Sequence, residues 1–293
     1  DHIDAQHHEL RLNAAHGFPA LAHVVWHLDE PRVGISYQNY YLSQFMRPHV
    51  TVVLGGAGGD ELFGGYVWRY NAIQSLTARP AFEQRYYDLW TRFLSDDDKR
   101  AWFFAPDTVR QLGDFSTWAS YQQVIRRAQG PDPLAWALYF DIRTFLHGLL
   151  IVSDKLGMSA SLEERVPLLD HDLVDFGLRL PSHWKLRDGQ GKYMLRNVMR
   201  HWVPPSIANA RKQGFTPPEA TWYRTVLRED VAKVLLADRT LARGIFRPEG
   251  LQRILDEHQA AHANHRFLIW SLLAFEWWCR LFLDGDPLPE APV

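Results

Sequence analysis

The chain has almost no cysteine. Cys279 stands alone among 293 residues, so no disulfide can form within it, and a reducing cytoplasmic setting is the expectation. A lone thiol of this kind is expected to pack as a small buried hydrophobe. There is no basic run with interleaved aromatic residues, and the formal net charge is -2, so nothing electrostatic points to nucleic acid. The first residues are polar, without a basic stretch leading into an apolar one, which again favours the cytoplasm. Residues 266–283 are rich in Leu, Phe and Trp, but Arg266, Glu276 and Arg280 interrupt them. A membrane crossing needs roughly 20 apolar residues, so this segment reads as a helix buried on most faces, and no membrane partner is expected. The 14 histidines show no His-Glu-x-x-His spacing, and the adjacent His7 and His8 cannot share a helix face, so a zinc site is not expected either.

What the chain does have is apolar material: 46% of its residues are hydrophobic, enough for a substantial core in one large domain or two smaller ones. Residues 1–80 read as an α/β portion. Apolar spacing over 19–28 and 37–46 predicts two helices leading to a strand at Val50–Leu54. Residues 81–283 read as mainly helical. Ser95 followed by three aspartates marks a helix start. Residues 134–152 predict a long helix that leaves Asp154 and Lys155 at its end or in the loop beyond. Further helices are predicted over 192–202, where Pro204 and Pro205 stop the pattern, and over 222–237 and 251–261, before the terminal apolar helix. The tail 284–293 holds three prolines and reads as a loosely packed end.

The most informative segment is 50–66, where a β-branched run delivers a glycine-rich turn that ends in Asp60 and Glu61. Glycines leave backbone N–H groups free to converge on an anion, and a carboxylate beside them can hold a cation. A phosphate with Mg²⁺ suits both. Gly64 and Gly65 permit close backbone approach, with Tyr66 packed beneath the loop. Two further segments carry chemistry: Asp154–Asp170, with Ser-Leu-Glu-Glu-Arg-Val-Pro, and residues 191–217, with Gly-Lys-Tyr-Met-Leu-Arg and then Arg-Lys-Gln-Gly-Phe-Thr-Pro.

These three segments, in this order, resemble the synthetase domain of the asparagine synthetase family, and the likeness runs over nearly the whole chain. The resemblance implies a parallel sheet of the adenine-nucleotide alpha-hydrolase-like (HUP) type flanked by helices, with a large C-terminal helical region. It implies an ATP-dependent amide ligase that adenylates a carboxylate, aspartate above all, releases pyrophosphate and lets ammonia or another amine attack. Gly55, Gly56, Gly58, Gly59 and Asp60 fall in the family's nucleotide loop, with Asp60 beside Mg²⁺. Lys155 and Lys212 fall where the family places cations near the pyrophosphate, and Glu163 where its glutamate faces the active site. Arg165 is expected to pair with a nearby carboxylate such as Asp170 or Asp154.

Two departures stand out. The family's Ser-Gly-Gly-x-Asp-Ser loop has no match here, and no glutaminase nucleophile is present, so the chain reads as the C-terminal part of a longer protein. In the loop itself, Gly55 stands where the family has serine and Ala57 where it has an acidic residue or, in β-lactam-forming relatives, tyrosine. Glu163 would then be the remaining base. Alternatives are a specialised β-lactam or macrolactam-type amide-forming relative, or a non-catalytic binding module exploiting the 12 tryptophans. Without its first strands the sheet would keep an unpaired edge, which invites self-association.

Overall fold

The computed structural model describes residues 4–34, 36–91, 93–210, 214 and 217–292. Two helices, α1 (Leu21–Leu28) and α2 (Tyr37–Met46), lead into strand β1 (Val52–Leu54); after the glycine turn come α3 (Gly59–Phe63), α4 (Val67–Asn71) and α5 (Arg79–Trp90). After further helices at Pro106–Leu112 and Thr117–Ile125, α6 (Pro133–Phe140), a π-helical stretch at Asp141–Leu146 and α7 (His147–Ser159) form one run that ends just before β2 (Glu163–Arg165). Beyond it lie α8 (His171–Arg179), the hairpin strands β3 (Leu186–Arg187) and β4 (Gln190–Gly191), α9 (Tyr193–Met199), α10 (Arg228–Leu235), α11 (Pro248–Gln259) and α12 (Arg266–Trp278), with shorter helical turns between them. The protein is mixed α/β and mostly helical.

β1 and β2 pair in parallel, Val52 with Glu163, Val53 with Glu164 and Leu54 with Arg165. Side chains alternate across a strand, so Val52, Leu54, Glu163 and Arg165 share one face, and this face is open: Leu54 is 74% exposed. Val53 and Glu164 take the other face, where Ser153 of α7 donates its hydroxyl to Glu164. The main core gathers α1 and α2 against α7, α10, α11 and α12 through Leu21, Val24, Tyr37, Leu156, Trp270 and Leu273. A second core, under the glycine turn, packs Tyr70, Phe82, Tyr86, Ile125 and Phe140.

Several sequence expectations shift by a turn or more. The long helix does not stop at 152: α7 continues to Ser159, which places Asp154 and Lys155 inside it rather than beyond its end. Its ladder is carried on by the contact of α7 with β2, where Leu162 N–H returns to Gly157 O. The run Pro133–Ser159 is, by length and composition, the one helix among the described residues that could cross a membrane, yet its Asp141 is fully buried against Arg69. Most of the segment 266–283 is buried as expected, α12 hiding Leu268, Ile269, Leu272 and Leu273 and Cys279 buried with it, while Phe282 and Leu283 at its end are exposed. Ser95 caps its helix by accepting from Asp98 N–H at 3.0 Å. The tail is exposed along most of its length, yet it is tethered. Arg239 grips Asp284 and Asp286 at 2.6 and 2.7 Å, and His23 donates to the carbonyl of Pro289 at 3.0 Å, so charge pairing and a backbone bond hold a segment whose prolines suggested a loose end.

Candidate active site

The glycine turn sits at the carboxyl end of β1. Gly55 N–H donates to Arg165 O at 2.7 Å, extending the strand pairing by one residue. A side chain at position 55 would overlap the carboxyl group of Glu164. Gly58 adopts φ 91°, a left-handed conformation that L side chains avoid, and a Cβ there would run into Leu169. Gly56 faces open space, so the backbone of the turn is reachable from outside.

Asp60 follows in the first turn of α3. Its carboxylate fills the space that Gly65 leaves by lacking a side chain, and it meets the ammonium group of Lys192 at 3.1 Å, both groups being mostly shielded from water. Lys192 reaches this place because the β3–β4 hairpin returns beside the turn: its backbone is left-handed, φ 55°, and its N–H donates to Phe63 O at 3.0 Å. The pair joins residues far apart in the chain.

Below the turn lies a buried polar layer. Glu61 is 1% exposed and accepts from the Tyr66 hydroxyl at 2.5 Å. Burial pushes the Glu61 carboxyl above its ordinary range, and the Tyr66 bond opposes that rise. Tyr66 thus packs beneath the loop, as the sequence suggested, and adds a hydrogen bond to it. Its ring lies 4.6 Å from the Arg69 guanidinium carbon, a cation–π distance. Arg69 pairs with Asp141 at 2.9 Å, 2% and 0% exposed, and the hydroxyls of Tyr70 and Tyr86 donate to the same carboxylate at 2.8 and 2.5 Å. A buried charge needs such partners. Burial raises the Asp141 carboxyl, while Arg69 and the two tyrosines pull it down.

The structure therefore brings together Gly55, Gly56, Gly58, Gly59 and Asp60, with Lys192 and Glu164 beside them. It does not gather the other sequence candidates. The Lys155 ammonium is held at 2.8 Å by both Leu28 O and Asp29, at the end of α1. Glu163 pairs with Arg165 at 2.8 Å on the open face of the strand pair, both more than half exposed. The neighbour of Arg165 is thus Glu163, because residues two apart on a strand share a face, and neither Asp170 nor Asp154. Lys212 lies outside the described residues. Among the described residues no cluster of three or more His, Cys, Asp or Glu side chains is placed to hold a metal. Lys192 and Glu164 were missed in the sequence, although both lie in quoted motif segments; a lysine between Gly191 and Tyr193 was the available signal.

A strand that ends in an open glycine turn, backed by a carboxylate–lysine pair, defines a mixed α/β protein. The Asparagine synthase family model matches residues 1–280, and the chain belongs to that family. It is 27% identical to the glutamine-hydrolyzing asparagine synthetase 1 of Bacillus subtilis strain 168 over 92% of this chain and 47% of that protein. It is 24% identical to the glutamine-hydrolyzing asparagine synthetase B of Escherichia coli K12 over 84% of this chain and 35% of that protein. With the human glutamine-hydrolyzing asparagine synthetase the identity is 25% over 79% of this chain and 33% of that protein. The chain spans at most about half the length of these curated relatives.

Proposed function

We propose that this chain forms the nucleotide-binding part of an ATP-dependent amide ligase, which adenylates a small carboxylate, releases pyrophosphate and passes the acyl group to ammonia or an amine. The observation that carries the reading is the Lys192–Asp60 pair at the mouth of the glycine turn. A phosphate group fits here: Gly56 leaves the backbone open, and a lysine suits a phosphate as a compact positive charge. Asp60 would hold Mg²⁺, which takes one or two protein carboxylates and leaves its other positions to phosphate and water. Bound there, the ion supplies neutralising charge between the phosphates. The chain's own work is to orient the phosphates with backbone N–H groups and to stabilise charge through Lys192. Lys212 remains a proposed part of the same machinery, acting in the cytoplasm on a sheet of the HUP type, and Lys155 and Glu163 would join it only by leaving the Asp29 and Arg165 pairs that hold them here.

Aspartate is the first substrate to test, given the family. A specialised amide-forming relative is the second reading, favoured by one local feature: Glu164 fills the space beside Gly55, where the resemblance implies a serine, and alanine stands at 57, where it implies an acidic residue. ATP–pyrophosphate exchange on the full-length protein decides between them. Exchange with aspartate supports the first reading, exchange only with another acid the second, and no exchange with any acid removes both. The open face with Val52 and Leu54 supports pairing with a second copy; a monomer in sedimentation would count against that.

A further inference from the structure

Away from the glycine turn, a small cavity lies between α2, α12 and the helical turn Glu219–Trp222, walled by Phe18, Tyr37, Trp222, Tyr223 and Trp270. One carboxylate faces it. Glu219 is 1% exposed; its Oε1 accepts from the Tyr37 hydroxyl at a long 3.4 Å, and its Oε2 has no hydrogen-bond partner among the described residues. We propose that this cavity is a binding site for an ammonium-class cation, held by the Glu219 carboxylate and the surrounding aromatic rings.

Size, charge and wall chemistry all lead there. About 10 Å³ is free to the centre of a water-sized sphere, close to the room one such sphere needs. Ammonium fits that space, and tetramethylammonium does not. A buried carboxylate with one oxygen unpaired is costly, so the site favours an occupant that brings both positive charge and N–H donors. Burial pushes the Glu219 carboxyl up to about 7, while its own backbone N–H, Arg266 acting through space and the Tyr37 hydroxyl hold it back. Aromatic faces attract cations and do little for neutral water. The Trp270 ring lies 6.2 Å from that of Tyr37, and its N–H is already spent on Arg32 O at 3.1 Å, leaving the ring itself as wall. Mg²⁺ and Ca²⁺ demand six or more oxygen ligands, which this lining lacks. The binding claim stands apart from the ligase reading, although an amide-forming enzyme has an evident use for a place that holds its nitrogen nucleophile.

The test is thermal unfolding of the chain in ammonium chloride against potassium, sodium and tetramethylammonium chlorides at equal ionic strength. A ligand that binds only the folded state raises the midpoint in proportion to its occupancy. The expected result is a saturable upward shift with ammonium alone, abolished in Glu219→Gln. An equal shift with potassium overturns the proposal, since no N–H donor is then being read. So does a shift that survives in Glu219→Gln, or the absence of any shift. If Glu219→Gln fails to fold, Trp222→Leu removes one wall instead, and an unweakened ammonium shift in that variant overturns the proposal equally. None of these readouts requires ligase activity, so failure here and failure of the ligase reading are separable.

Discussion

The carboxyl group of Glu164 occupies the space beside Gly55 that any side chain at position 55 would need. The two residues come from different strands, brought together by the parallel pairing of β1 and β2, and Ser153 anchors the carboxylate from α7. A residue larger than glycine at 55 therefore needs the end of the Glu164 side chain to move aside.

This interlock predicts a coupled pair of mutations. Gly55→Ser should destabilise the fold by about 1–3 kcal/mol through overpacking. Adding Glu164→Ala should recover part of that loss, so that the two effects in urea unfolding differ from their sum by more than about 0.5 kcal/mol. Simple additivity would mean that the two side chains do not compete for space.

Lys192 offers a test of the phosphate site. Its backbone is left-handed, a conformation that asparagine tolerates, so Lys192→Asn removes the charge with little backbone cost. In the full-length protein the variant should lower ATP–pyrophosphate exchange by about 10²–10³-fold, the usual loss for one electrostatic group at a reacting centre, while circular dichroism stays native. Unchanged exchange removes Lys192 from the mechanism.

The buried pair under the turn should matter for stability first. Asp141→Ala leaves Arg69 charged and enclosed without its counter-ion, and breaking such a pair by removing one partner costs about 3–5 kcal/mol. Urea titration reads this directly; a loss below about 1 kcal/mol would show that water reaches Arg69.

Glu219 carries a pH signature. Its carboxyl rises from 4.5 to about 7 on folding, so between those values the folded chain holds more protons than the unfolded one. Stability should fall as pH increases through this window, by up to about 3 kcal/mol in ammonium-free buffer. Glu219→Gln should flatten that slope in a pH series of unfolding curves, and a slope unaltered in the variant would assign the titration elsewhere.

Much of the architecture was readable along the chain wherever the signal is local. The β-branched run before the glycines forms β1, Ser95 caps the helix it was expected to start, and apolar spacing marks α1, α2 and α12. Helix ends were less legible: α7 outran its apolar pattern to include Asp154 and Lys155, because packing against β2 supports turns that periodicity alone would end. The candidate site divides the same way. The turn residues 55–60 were visible as glycines next to carboxylates. Lys155 was read as a cation beside the phosphates, yet the end of α1 holds its ammonium, a contact between residues too distant in sequence for spacing to reveal.

The order of amino acids by itself determined the family, the glycine turn and the limits set by one cysteine and a near-neutral charge, since each depends on residue identity or on neighbours within a few positions. Only the tertiary structure decided which lysine meets Asp60, what lies beside Gly55, and where Glu219 is left with an unpaired oxygen. Those are contacts between distant segments, and they are set by how helices and strands pack rather than by any pattern along the chain.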